Sequence, residues 1–582
     1  MSGMDNKNLI VAIALSIAIL LGYELFIQRP NNEQKQAQIA QQQAEDAKKA
    51  ASAPTPAAPA GTVPGSPAAP AATVLPRDQA LAQTSRVRIN TPSLHGSIAL
   101  EGGRLDDLTL VKYHETIDPT SPEIVLLSPN GSQNPYKAEF GWFLAQGMTA
   151  KLPDGDTRWT ASANELSVGH PVELSWDNGE GLRFIRNYAV DENYMFTVTQ
   201  RVENKGSTPV SLFPYGLVSR TGTPETLGYY LLHEGPVGFL DGTLQEKEYG
   251  KLKPLKPKEE PAAIASTSGW LGFTDKYWLT AMIPDQKEQV KARFFNSGTE
   301  QLPRYQADFQ GSEHIAPAGG ATETVTRFFA GAKEVKLLTS YMNELNITNF
   351  DYAVDWGYFW FLTHPIFKVL DYFNQQIGNF GLAILLLTVL IKLAFFPLAN
   401  KSYRAMGKMK LLQPEMQKLR EKFGEDKARL NQEMMALYKR TGANPMAGCL
   451  PIFIQIPVFF SLYKVLFITI EMRQAPFYGW IHDLSAQDPT SIFNLFGLIP
   501  WSPPHALMLG AWPIIMGVTM FLQQKLNPQP ADPVQAKMFM LLPFVFTYML
   551  ASFPAGLVIY WAWNNTLSIL QQWIIMRQAA KT

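Results

Sequence analysis

The sequence predicts a multi-pass α-helical membrane protein with six transmembrane helices, joined to a large β-sandwich on one side of the membrane. Three observations carry this. Several apolar runs approach the roughly 20 residues that a helix needs to cross a hydrocarbon core. The stretch 77–342 instead alternates apolar and polar residues with period two, punctuated by Gly, Pro and Asn turns. Charged residues make up only 17% of the chain, against roughly 25% in soluble domains, while aromatics reach 12%. At 582 residues the chain is too long for one compact domain. Its 50 basic and 50 acidic side chains exclude a uniformly basic nucleic-acid binder and an acidic tail protein. Cys449 is the single cysteine, which excludes an intrachain disulfide and a thiolate cluster for zinc.

Residues 1–27 form the first expected span. The run Leu9 to Leu21 holds only Ser16 as a polar residue, and no small-x-small cleavage site follows closely, so it reads as an uncleaved anchor rather than a signal peptide. Residues 28–76 turn to Gln, Ala and Pro, with almost nothing apolar enough to offset ordering entropy, and read as an extended tether. Within 77–342, the runs Arg86 to Ile89, Leu182 to Tyr188 and Tyr194 to Val202 give the antiparallel sandwich its clearest strands. Its histidines, His95, His114, His170, His233 and His314, lack metal-ligand spacing and accompany no nucleophile or phosphate-loop motif. Residues 350–377 read as an amphipathic helix in the membrane interface, with Trp356, Tyr358 and Trp360 as headgroup anchors; an ordinary core helix shows the same pattern.

Five further spans follow: Phe380 to Leu398 within 378–399, then Met446 to Thr469, about Ala506 to Gln524, Lys537 to Phe553 and Ala555 to Ile575 within 445–582. Residues 400–444 carry eleven basic and five acidic side chains, which places them in the cytoplasm. Parity then puts both termini inside and the β-domain outside. Gly424 and Gly442 end the two arms of a cytoplasmic helical hairpin, and Asn444 with Pro445 starts the third span. Net charge divides the same way. Residues 1–352 hold 31 basic and 39 acidic groups, residues 353–582 hold 19 and 11, so overall neutrality is a cancellation across a membrane. Prolines 451, 457, 513 and 543 are expected to kink their helices. Met406, Met409, Met416, Met434 and Met435 in the hairpin suit either varied hydrophobic partners or packing between its arms.

The chemistry concentrates on Lys392, about 12 Å of helix rise inside the cytoplasmic end of the second span. An ammonium at such depth costs about 2.5–3.5 kcal/mol, and no other span places an acid level with it. Aligned by depth, Gln455, Gln523, Gln524, Asn564, Asn565 and Ser568 share the inner half, while the outer half is Phe, Leu and Ile. Amides in lipid are costly, so their common depth implies a wet cavity open to the cytoplasm. The bland alternative is that Lys392 snorkels and the amides join helices. A channel would need polar lining through the full thickness, which the dry outer half does not supply.

At these residues the chain resembles the YidC/Oxa/Alb family of membrane protein insertases, in the long form of Gram-negative bacteria. The resemblance runs along essentially the whole chain and is strongest in NQEMMALYK, NPMAGCLPIFIQIP, RQAPF, WIHDLSAQDP, MGVTMF and FPAGLVIYW. It implies five helices forming the insertase core and a periplasmic β-supersandwich similar in fold to sugar mutarotases, without that activity. It implies a hydrophilic groove lined by a cation of the second span; Lys392 stands where most members carry Arg, retaining the charge but losing the fork of donors. By the same matching, Thr388, Phe459, Met516, Met549 and Trp561 resemble the path along which a substrate helix slides into lipid, with Trp561 where Tyr is common. The short tail after Arg577 leads to the expectation that the ribosome-binding extension of some relatives is absent.

The resemblance further implies insertion and folding of integral membrane proteins in the bacterial inner membrane, alone or with the Sec translocon. Implied partners are nascent membrane proteins, SecYEG and SecDF, ribosome–nascent chain complexes, the signal recognition particle pathway and the lipid bilayer, with no direct nucleic-acid readout. No catalytic residue, metal site or cofactor is expected. The chain holds no GxxxxGK[ST] motif, so the expectation is of no nucleotide hydrolysis of its own. Transport of a solute, or a tethered periplasmic carbohydrate enzyme, would be the competing classes.

Overall fold

The computed structural model describes residues 74–226, 232–256, 259–424, 426–441, 450–501, 503–504, 507–527 and 533–579. The expected first span, most of the tether, Gly442, the Asn444–Pro445 cap, Cys449 and the start of the fourth span at Ala506 lie outside the described residues.

Among the described residues, twenty strands between Arg86 and Ala332 build two sheets, one of eleven strands and one of nine. The alternating runs become strands Arg86–Asn90, Leu182–Val190 and Met195–Asn204. Leu182–Val190 buries every second residue, because successive side chains of a strand point to opposite faces. Its neighbour pairs antiparallel, with Tyr188 opposite Val198. Aromatic rings fill the space between the sheets. Phe140 of one sheet meets Phe328 and Tyr188 of the other edge-to-face at centroid distances of 6.3 and 6.1 Å. Each such fully buried ring contributes on the order of 1.5–3 kcal/mol. The short helix Arg77–Leu81 (α1) leads into this domain, and Val335–Glu344 (α2) leads out of it.

The helical half comprises Trp360–Ile377 (α3), Phe380–Ala394 (α4), Phe396–Phe423 (α5), Lys427–Thr441 (α6), Leu450–Ile468 (α7), Ala511–Leu526 (α8), Pro533–Leu550 (α9) and Ala555–Ala579 (α10). Among the described residues no single helix is long and apolar enough to cross a membrane; α4 and α5 pass together, as a pair bent by 69°. This corrects the expected continuous helix from Phe380 to Leu398. Pro397 cannot donate to the carbonyl four residues back, so the helix stops at Ala394 and a new one starts with Pro397 in its first turn. Pro513 also departs from expectation, since it lies in the first turn of α8, where no intrahelical bond is lost. Pro457 and Pro543 do stand inside their helices. Gly378 ends α3 in the left-handed conformation with φ 74°, and Asn379 caps α4 by accepting the Leu382 N–H at 3.0 Å.

Trp356 is corrected as an interfacial anchor. It is buried, its ring 4.9 Å from His364 and 5.6 Å from Phe367, whereas Tyr358 and Trp360 are exposed. A ring that reaches a packing partner gains more there than at a wet interface. In the hairpin, Met406 and Met416 are buried, Met406 beside Tyr403 and Ile575, while Met435 is exposed. Asp426 caps α6 by accepting the Arg429 N–H at 3.0 Å.

The two halves are bolted together at the outer end of α7. Lys464 Nζ lies 2.7 Å from Asp355 Oδ2, which also accepts the His233 backbone N–H at 3.1 Å. The Lys276 ammonium stands 3.9 Å from the centre of the Phe467 ring, and Arg473 Nη2 donates to the His114 carbonyl at 2.5 Å. Glu471 Oε1 accepts the Val335 N–H at 3.0 Å. Burial, reinforced by the Glu334 and Asp371 carboxylates, pushes Glu471 up to about 7 from an ordinary 4.5. The folded chain therefore holds a proton that the unfolded chain releases above 4.5. That stability is fully present below the ordinary value and is lost as pH rises through about 7. Glu471→Gln keeps the acceptor and removes the titration. Between pH 5 and 8, melting of the purified full chain is expected to fall less with pH in this variant than in the native chain.

Candidate functional site

Four helices supply the residues singled out by depth and most of those matched to a slide: α4 carries Thr388 and Lys392, α7 Gln455 and Phe459, α8 Met516, Gln523 and Gln524, and α10 Trp561, Asn564, Asn565 and Ser568. Met549 lies on α9. Helical spacing puts Tyr560, Asn564 and Ser568 in one row along α10, each four residues from the next. That row turns inward: Tyr560, Asn564, Asn565 and Ser568 are all buried.

Lys392 is half-buried and donates from Nζ to Ser568 Oγ at 2.7 Å. Ser568 Oγ in turn donates to the Asn564 carbonyl at 2.8 Å. Its serine partner is neutral, and no Lys392–carboxylate ion pair occurs among the described residues. Gln455 Nε2 donates to the Tyr560 hydroxyl, and Asn565 Nδ2 to Thr519 Oγ1 at 3.4 Å. Gln524 donates instead to the Phe539 carbonyl in the first half of α9, and Gln523 is half-buried beside it. The structure thus brings Lys392 to Ser568, whose hydroxyl bonds the Asn564 backbone carbonyl one turn back, and α10 also supplies the Tyr560 and Asn565 that meet Gln455 and Thr519. The two glutamines of α8 stand apart from these contacts.

Of the residues matched to a slide, Phe459 and Trp561 meet at a centroid distance of 4.5 Å. Met516 is fully buried in a cluster with Leu550, Val558 and Ala562, against which Trp561 packs. Met549 faces outward, 49% exposed. Thr388 is buried, its hydroxyl donating to the Ile384 carbonyl at 2.7 Å. These five residues do not form one surface in this conformation.

Tyr560, Thr519, Gln572 and Lys464 were not anticipated from sequence. Tyr560 was readable, because it continues the Asn564–Ser568 row by one turn. Gln572 extends the same row inward, is fully buried and donates to Asn527 Oδ1 at 3.2 Å. Thr519 and Lys464 acquire their roles from partners 46 and 109 residues away, which no local pattern encodes.

Outside this polar interior the helices are apolar. Leu386, Leu390 and Leu393 of α4, Ile515, Val518 and Leu522 of α8, and Phe544, Val545 and Tyr548 of α9 are exposed. Contiguous apolar surface of this extent calls for lipid. The fold and site together define a multi-pass membrane protein whose helical core carries a large β-sandwich.

Residues 86–369 match the family model of the YidC periplasmic domain, and residues 372–582 that of the 60Kd inner membrane protein. A membrane protein insertase YidC of Methylobacterium nodulans is 53% identical over 584 residues, covering 99% of this chain and 96% of the relative. Another, of Methylobacterium sp. (strain 4-46), is 52% identical over 600 residues with the same coverage, 99% and 96%. A solved active YidC insertase aligns over 84% of this chain and 92% of that one, at 16% identity and a TM-score of 0.36. The chain belongs to the YidC family of membrane protein insertases, and it inserts proteins into the inner membrane, its β-sandwich being the periplasmic domain.

Proposed function

We propose that the chain inserts hydrophobic segments through a groove between α4, α7, α8 and α10 that opens to the cytoplasm and sideways to lipid. The observation that carries this reading is the Lys392–Ser568 contact beside buried Asn564, a cation within a helix whose hydrogen-bond partner among the described residues is a neutral hydroxyl. In lipid such a cation would be expelled, so water must reach it. The hairpin of α5 and α6 captures a nascent segment, the groove receives its polar flank, and the apolar part leaves past Phe459, Met516 and Trp561, with Thr388 and Met549 at either side of the path. Gln455, Gln523, Gln524, Asn564 and Asn565 supply dipoles to the flank. Hydrating half the path shortens the dry distance that the flank must cross, lowering the desolvation barrier.

In this reading the chain spans the membrane six times with both termini in the cytoplasm, the first span at 1–27 and the tether at 28–76 joining the periplasmic unit 77–342. The basic surplus of 400–444 supports that orientation. Clients are nascent membrane proteins; SecYEG, SecDF, ribosome–nascent chain complexes and the signal recognition particle pathway deliver or share them. The chain is not an enzyme, and hydrophobic partitioning, the membrane potential or a partner's motor drives insertion. Photocrosslinkers at Thr388, Phe459 and Trp561 are expected to capture a ribosome-stalled membrane protein. Absence of adducts at all three would overturn the path.

A further inference from the structure

The connection between α7 and α8 carries a patch that the groove does not use. Phe493, Leu495, Phe496, Leu498, Ile499 and Trp501 stand between 43% and 84% exposed within nine residues. No Asp, Glu, Lys or Arg occurs between Asp488 and Lys525. In water so dense an apolar display is a liability.

The backbone of this segment closes on itself. Ile492 N–H donates to Leu509 O at 3.1 Å, Phe496 to Ser491 O at 2.7 Å, Leu498 to Leu495 O at 3.3 Å and Ile499 to Asn494 O at 3.0 Å. Ser491 Oγ donates to the Leu507 carbonyl at 2.8 Å and Asn494 Nδ2 to that of Trp501 at 3.3 Å. Water would satisfy these groups without such closure, whereas hydrocarbon demands it. Leu495 and Phe496 adopt φ of 50° and 57°, a left-handed conformation that bulky L residues rarely take. Strain of this kind persists where surrounding structure imposes it. Here it turns two large apolar side chains outward. The base is fixed by buried Asp488, which accepts from the Thr490 N–H, the Trp480 indole and the Trp512 N–H at the start of α8. The base of the segment is thus tied to the start of α8, where Thr490 Oγ1 also accepts the Ala511 N–H at 2.9 Å, and α8 itself carries the exposed residues Ile515, Val518 and Leu522.

We propose that residues 491–501 form a wedge seated among the acyl chains of the outer leaflet, holding the outer ends of α7 and α8 at a set depth. Attachment to the start of α8, whose apolar residues face outward, absence of charge and closed backbone single out lipid as the occupant. Its leaflet rests on the orientation proposed above, whereas its depth does not, so the two fail separately.

A nitroxide on Phe496→Cys, in the full-length Cys449→Ala chain reconstituted into phosphatidylcholine–phosphatidylglycerol vesicles, tests this. Collision with oxygen is expected to exceed collision with a water-soluble nickel chelate several-fold. The order is expected to reverse at Leu302→Cys, an exposed site on the β-domain. Nickel accessibility equal to that of the Leu302 label would overturn the wedge. Exclusion of both reagents would also overturn it, showing a second copy or a partner protein over the patch. A label on Leu498→Cys makes the same measurement should the first variant fail to fold.

Discussion

Lys392→Glu is expected to slow insertion of substrates with acidic translocated flanks by about tenfold, leaving neutral-flanked substrates nearly unchanged. Two unit charges about 10 Å apart at an effective dielectric of about 20 interact by roughly 1.7 kcal/mol, and reversal turns that attraction into repulsion. Water in the groove screens part of this, and about 1.4 kcal/mol already makes a factor of ten. The contact with Ser568 Oγ at 2.7 Å is with a neutral group, so among the described residues the charge of Lys392 is not spent on a carboxylate. Lys392→Arg is expected to retain the rate for acidic flanks, since it keeps the charge. Protease protection in reconstituted vesicles reads both substrate classes. Equal slowing of the two would remove the electrostatic role and leave Lys392 a packing residue.

Lys464→Met is expected to destabilise the junction between the periplasmic domain and the helical core by about 1–3 kcal/mol, the cost of stranding one partner of a part-buried, hydrogen-bonded ion pair. Lys464 and Asp355 are 10% and 21% exposed, and Asp355 also holds the His233 and Gly357 N–H groups. The double variant Lys464→Met, Asp355→Asn is expected to recover most of the loss, because an apolar stem with a neutral acceptor leaves no uncompensated charge. Denaturant unfolding of the purified full chain, with a cysteine pair across the junction as reporter, checks both. A single variant as stable as the native chain would show that the pair contributes nothing.

Much of the fold was legible locally. Leu182–Val190 alternates in sequence and in burial, because a two-residue repeat and a strand's two faces are the same geometry. The apolar runs among the described residues became helices, Gly378 stops α3 and Asp426 starts α6. The break at Phe395 was available from Pro397 but was hidden by the unbroken apolarity around it. Trp356 was misplaced because the sequence shows an aromatic belt without showing which ring finds His364 and Phe367. The polar row was half legible. Depth alone grouped Lys392 with Ser568, yet nothing local set Gln524 apart from that row or turned Thr388 inward.

By itself the sequence determined which of the described stretches are strands and which are helices, and where along the chain the basic surplus lies. These depend on near neighbours along the chain and on partition between water and lipid, both of which a residue carries with it. Only the tertiary structure decided that Lys392 meets Ser568 across 176 residues, that Lys464 meets Asp355 across 109, and that residues 491–501 close on their own backbone while facing their apolar side chains outward. Pairing and burial at such separations follow from how whole helices and sheets pack, a property no single segment possesses.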